Sequence, residues 1–303
     1  MNQRPFARSW IGSRWGYSAL GDSSASRPSA PLGRRLDVAV PVLVIVRHIL
    51  IFRQFLGRSI ARRYRLSVLG LLWTVLVPLF TLVIYTFVFG VVLESRWSGM
   101  EGGDTTSFGL YLFVGLLVFW LMADVVGGAP GAVIEYSNLV KKAVFPIEVL
   151  PLVLVGNAVF HALVTTGVLF VALLVIQGSI PVTALLFPIV LAPFVLLMAG
   201  LAWWLSAVGV FFRDIQHIVG LLMTGVLFLS PILYSIDRLG PTLKAVILLN
   251  PVTVIVIQMR RIALEGQQPE WIVLGIYFVV AWGVAAAGLA FFRYARKSFA
   301  DVL

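Results

Sequence analysis

The chain contains no cysteine, which excludes a disulfide framework and any thiolate metal centre. Histidine is almost as scarce: His48, His161 and His217 lie far apart in sequence and form no ligand pattern, so no metal site is expected. Charge is short too, at 12% of 303 residues, against 60% hydrophobic. Of the 13 acidic residues only Asp124 falls clearly inside a long apolar run. The paired acids of a membrane-embedded transferase and the several midplane carboxylates of an ion-coupled carrier are therefore missing. None of Lys141, Lys142, Lys244 or Lys297 follows a glycine, so the Gly-Lys-Ser/Thr cradle for a nucleotide phosphate is absent. The chain cannot be an ATPase of that kind, and no catalytic residue is expected in it.

Long apolar runs are what the sequence does have. A bilayer core about 30 Å thick needs about 20 apolar residues of helix, and six runs qualify: 67–93, 108–134, 149–176, 182–212, 215–234 and 271–292. A seventh, Ala245 to Ile257, would reach only about 20 Å and is interrupted by Asn250-Pro251. It reads as a re-entrant segment that dips into the membrane and returns. The expected fold is therefore an all-α polytopic membrane protein with six spans. Before them, at about 44–64, Ile45, Ile49, Phe52, Leu56 and Ile60 form one stripe, opposite Arg47, Gln54, Arg58 and Arg62. This is the pattern of an amphipathic helix lying in the head-group plane.

Twelve of the 23 basic residues precede residue 66. The net charge of +10 thus suits anionic lipid, and no nucleic-acid partner is expected. With the N-terminus inside, the inner segments also hold Lys141, Lys142, Arg213, Arg293, Arg296 and Lys297, which leaves Arg96, Arg238, Lys244, Arg260 and Arg261 outside. Residues 1–40, with arginines scattered among Ser, Gly and Pro, read as a disordered basic tail, and 41–303 as one transmembrane domain. Arg213-Asp214 falls in a short inner turn, where charge is solvated. The longest inner loop, EYSNLVKKAVFPIEV at 135–149, offers a short helix starting at Ser137 or Asn138 and an apolar knob, Phe145-Pro146. Lys141-Lys142 within it could equally be a charge anchor.

RYRLSVLGLLWTVLVPLFTLVIYTFVFG (63–90), NLVKKAVFPIEVLPL (138–152), FFRDIQHIVGLLMTGVLFLSPILY (211–234) and LNPVTVIVIQMRRI (249–262) resemble, in order and spacing, the blocks of type 2 ABC exporter permeases of the O-antigen and teichoic-acid kind. The resemblance runs from about residue 45 to the end; the long N-terminal tail departs from it. It implies a homodimeric channel in the bacterial inner membrane with both termini cytosolic, two copies of a separate ATPase that binds ATP and Mg, and a polyprenyl-linked polysaccharide as cargo. An exporter of a drug or small lipid is the nearest alternative. Under the resemblance Asn138, Lys141, Lys142, Phe145 and Pro146 meet the ATPase, with Arg213 and Asp214 a possible second contact, and Asn250, Pro251 and Arg261 belong to an outer gate. Arg62, Arg63 and Arg65 would meet the carrier pyrophosphate or bulk anionic lipid. Candidates for the substrate path are Tyr85, Phe89, Phe113, Trp120, Asn157 and Tyr234, because a sugar polymer offers apolar CH faces and hydroxyls.

Overall fold

The computed structural model describes residues 44, 46–64, 69–92, 105–140, 145–236 and 239–303, and everything regular among them is helical. The basic tail, Arg65, Lys141 and Lys142 fall outside these ranges, as does the side chain of Arg63. Helix α1 (Ile49–Tyr64) is the expected amphipathic helix. Its apolar stripe, Phe52, Leu56 and Ile60, faces an apolar groove shared with the third and fourth spans. Arg53, Gln54, Arg58 and Arg62 on the other side are exposed.

The first span runs from Gly70 to Val92. A 3-10 turn enters α2 (Trp73–Tyr85), which passes into a π-helical segment, Thr86–Val92. Pro78 inside α2 removes one rung of the hydrogen-bond ladder. Gly109 in the next helix lies against the π segment, where a β-carbon would sit 2.0 Å from the Thr86 hydroxyl. The second span is α3 (Thr105–Gly128) with a closing turn, Ala129–Gly131, followed by the short α4 (Ser137–Val140). The third is α5 (Val149–Gln177), and the fourth is α6 (Phe187–Phe211), entered through a turn at Val182–Leu186.

The expected fifth span at 215–234 is shorter than its apolar run. Helix α7 ends at Leu229 after 15 residues, about 22 Å long, and Ser230 leaves it in extended conformation. The chain then forms α8 (Pro241–Leu248) and α9 (Pro251–Ala263), which meet at 97°. The break falls at the expected Asn250-Pro251. Asn250 caps α9 by accepting from Val252 N at 3.0 Å and holds the end of α7 by donating to Ser230 Oγ at 2.9 Å. The re-entrant element is thus wider than the expected 245–257. The last span is α10 (Trp271–Ala295), followed by a short C-terminal helix, α11 (Phe299–Val302).

Contacts between helix ends give the crossings. The Phe299 ring lies 5.9 Å from Phe211 at the end of α6, and Arg296, just past α10, bonds Glu148 at the head of α5. These ends share one face with α1, the basic face. At the opposite face the Thr183 hydroxyl donates to Ile262 O at 2.7 Å and Arg260 bonds Tyr111 O. Since Arg260 also reaches the carbonyls of Pro231 and Ile232, the chain beyond α7 has arrived at that opposite face. The short helix and the turn that follows it therefore make one crossing, and the bent pair enters and leaves on the same side.

The most extensive seam joins α6 and α10. A β-carbon on Gly200 would come 2.8 Å from Ala285 Cα, and one on Gly288 2.4 Å from Gly200 O. With hydrocarbon on every side, association has to come from such close backbone packing. Trp204 and Phe291 stack beside the seam at 4.4 Å.

Candidate functional site

On the basic face, Arg62 at the end of α1 pairs with Glu135, donates to the Tyr136 hydroxyl at 3.0 Å and lies over the Tyr136 ring. Partial burial works against its charge, but Tyr136 and Glu135 outweigh that, and its pKa stands above the ordinary arginine value. One turn earlier, Ser59 Oγ accepts from Asn157 Nδ2 at 2.7 Å. Among the described residues the buried Asn157 Oδ1 has no hydrogen-bond partner. Four residues on in α5, His161 Nδ1 lies 3.1 Å from Asp124 Oδ2 of α3, with the two side chains 19% and 34% exposed.

These groups line two adjoining cavities. One of about 240 Å³ holds Ser59, Arg62, Asn157, His161 and Asp124. The other, about 330 Å³, shares His161 and Asp124 and continues between Trp73, Thr74, Trp120 and Thr165. Together they form a polar track that starts at the interfacial helix and rises between the first three spans, with an indole on either side. The intramembrane carboxylate and the Asn157/His161 face, separate features in the sequence, meet here. Polar groups inside a membrane protein face a cavity or bond one another; here they line two cavities and pair with each other.

At the opposite face Arg260, 5% exposed, is the clamp. Its Nε and Nη2 donate to Tyr111 O at 3.0 and 2.8 Å, Nη1 to Pro231 O at 2.7 Å and Nη2 to Ile232 O at 3.1 Å. One guanidinium thereby ties the start of α3, the end of the α7 crossing and α9. Arg261, named from the sequence with the outer gate, lies beside it and pairs with Glu270 at 2.6 Å, while the sequence reading did not single out Arg260. The phase of the stripe Val252, Ile255, Val256, Met259 and Ile262 in α9, all of them buried, places position 260 inward and would have found it.

The family description "ABC-2 type transporter" matches residues 51–264. The chain belongs to the ABC-2 type transporter family. An O-antigen export system permease protein of Myxococcus xanthus is 30% identical over 247 residues, 80% of this chain and 92% of the relative. One from Klebsiella pneumoniae is 28% identical over 249 residues, 82% and 92% respectively. A polysialic acid transport protein of Escherichia coli is 22% identical over 241 residues, 78% and 90%.

In this ABC-2 transporter the loop between the second and third spans does hold a short helix, starting at Ser137, with Asn138 exposed on it. Phe145 does not project as a free knob. Its ring packs 5.2 Å from Phe55 of α1 and is partly buried, with Pro146 beside it. Arg213 and Asp214 are exposed between α6 and α7, as the inner-turn reading requires. Of the aromatic candidates, Trp120 lines the track. Phe113 is a core residue, 1% exposed, set edge-on to Trp120 at 6.1 Å. Tyr85 and Phe89 stack on each other at 5.7 Å near the far end of the first span, and Tyr234 lies past α7, partly buried. Neither group joins the track. Pro251 opens α9, exposed.

Sequence reasoning missed Glu148. It is 7% exposed, it precedes α5, and it pairs with Arg296 Nη1 at 2.5 Å and Arg293 Nε at 3.5 Å. Its backbone carbonyl accepts from the buried Trp203 indole at 3.0 Å.

Proposed function

We propose that this chain is the membrane subunit of an ATP-driven exporter whose cargo is a polysaccharide carried on a polyprenyl lipid, such as an O-antigen. The polar, tryptophan-flanked track carries the reading. A glycan has hydroxyls for Asn157, His161 and Asp124 and apolar ring faces for Trp73 and Trp120, whereas a wholly apolar cargo would leave Asn157 Oδ1 without a partner. The named activities of the relatives, O-antigen export and polysialic acid transport, favour a polymer over a drug or small lipid. Arg62, with Arg63 and Arg65, receives the pyrophosphate of the carrier, arginine being the side chain best shaped for bidentate phosphate contact.

ATP and Mg belong to a separate ATPase, present in two copies, that presses on the loop bearing Asn138, Lys141, Lys142, Phe145 and Pro146 and on the Arg213-Asp214 turn. The permease is a homodimer in the bacterial inner membrane with both termini cytosolic. The dimer is supported by the first span, only 17% of which is buried within the chain, and by exposed Ile218, Leu221, Leu222 and Phe228 of α7. The basic α1 and the C-terminal Arg293, Arg296 and Lys297 support the orientation. Asn250, Pro251 and the Arg260–Arg261 segment form the outer gate.

The test is reconstitution with the partner ATPase in proteoliposomes loaded with lipid-linked polysaccharide, scored by enzymatic access to the polymer on the far side. Polymer should cross only with hydrolysable ATP and should still cross after the proton gradient is collapsed. Movement of small lipids alone, or dependence on the gradient, would refute the proposal.

A further inference from the structure

Glu148 is a nearly buried carboxylate at the head of an apolar span, and neither the polar track nor the outer gate uses it. An acid at the head of a helix is favoured there by the helix dipole, and a short one such as aspartate bonds the first free N–H groups. Glu148 makes no such cap. Its carboxylate instead reaches Arg296 at 2.5 Å and Arg293 at 3.5 Å, at the end of α10, while its carbonyl takes the Trp203 indole of α6. One residue thus bonds both members of the most extensively packed helix pair among the described residues. Three residues earlier, Phe145 rests on Phe55 of α1. Segment 145–148 therefore joins the interfacial helix to the α6/α10 body.

That body is closely packed. Gly200 and Gly288 bring the two backbones so near that a β-carbon at either position would strike the other helix. The C-terminal turn is folded back onto it, with Phe299 fully buried against Phe292 at 5.5 Å and Phe211 at 5.9 Å. The ionic link, by contrast, can change step. Arg293 and Arg296 are three residues apart, about 4.5 Å along the helix axis. One carboxylate oxygen of Glu148 already lies against both guanidinia, so a small shift toward Arg293 exchanges its close partner without leaving it unpaired. An apolar contact offers no such pair of alternative partners between which a movement can switch.

We infer that Glu148 is a positioning residue that passes movement of the 138–146 loop to the α6/α10 pair by exchanging its close contact between Arg296 and Arg293. The inference rests on the proposed docking of an ATPase at that loop. It makes the C-terminal end of the last span part of the transport stroke.

The permease reconstituted with its ATPase is assayed for polymer exported and ATP hydrolysed in the same vesicles. Glu148→Gln should assemble and hydrolyse ATP while export per ATP falls about fivefold or more, the range of ordinary coupling energies. The charge exchange Glu148→Arg with Arg296→Glu should recover a substantial part of that loss. Glu148→Asp, which keeps the charge but shortens the reach, should lower the same ratio with assembly intact, and decides the matter should the glutamine variant fail to assemble. A wild-type ratio in Glu148→Asp, loss of export and hydrolysis only in step with the amount of complex, or no recovery in the charge exchange would each overturn the inference. Phe145→Asp is run in parallel. If it exports normally, the docking of the ATPase at the loop is wrong. If it uncouples while both Glu148 variants export normally, only the relay is wrong.

Discussion

The α6/α10 pair and the first span have similar hydropathy and different packing. In α6 and α10, glycine and alanine at matched depths let backbone touch backbone, and bulky rings stack alongside. In the first span, proline sits inside the helix, the far end passes into a π segment, and 17% of its apolar stretch is buried, against 50% in the fourth span and 28% in the last. Helix α7 is shorter but, like the first span, apolar and largely exposed. Hydrophobicity therefore puts all of these helices in the membrane, while small residues decide which of them are locked together. The locked set is a frame. The loose set, with the polar track behind the first span and the bent pair beyond α7, is what a second copy and a passing polymer have to work on.

Filling the seam should break the frame outright. Gly200→Leu sets side-chain atoms where Ala285 backbone now lies at 2.8 Å, and overpacking of this kind costs about 1–3 kcal/mol or more. Loss of folded protein, read as a lowered unfolding temperature in detergent, is the expected result. An unchanged temperature would mean the seam is not rigid.

Removing the clamp on the loose side should do less to the fold and more to the gate. Arg260→Met strips four hydrogen bonds from three carbonyls, at roughly 1–3 kcal/mol for each buried group left unsatisfied. Faster labelling of Ile232→Cys by a membrane-impermeant thiol reagent from the outer side would report the loosened element. The cysteine-free background makes that label specific. Arg261→Met, which loses only a half-exposed ion pair, should change the labelling little.

Asp124→Asn sharpens the comparison by separating polarity from charge. The variant keeps the hydrogen-bonding shape next to His161 and removes titration, so export driven by ATP should persist, with or without a proton gradient. Abolished export in the variant, together with gradient dependence in the wild type, would turn the protein into an ion-coupled carrier. Smallest is the effect on the isolated subunit of trimming the first span's exposed face. Phe80→Ala, at a ring 56% exposed, should alter subunit stability by no more than about 0.5 kcal/mol. Its effect should appear instead as reduced cross-linking between copies, and equal cross-linking would place the dimer contact elsewhere.

The apolar runs determined by themselves that the chain lies in a membrane and about where each crossing begins. The four-and-three spacing of Ile45, Ile49, Phe52, Leu56 and Ile60 determined the interfacial helix, and Asn250-Pro251 determined where the re-entrant pair bends. These are local signals, set by bilayer thickness, helical period and the missing proline N–H. Only the tertiary structure decided that α7 stops at Leu229, that Phe113 is core and Trp120 lines a cavity, that Asp124 meets His161, and that Arg260 rather than Arg261 is the clamp. It alone joined Glu148 to Arg296 across 148 positions and Arg260 to Tyr111 across 149. A span that is apolar all round carries no mark of which side faces which neighbour. Its rotation and depth are settled by close packing of small residues and by the need to pair each buried polar group, and the partners for both lie on other helices.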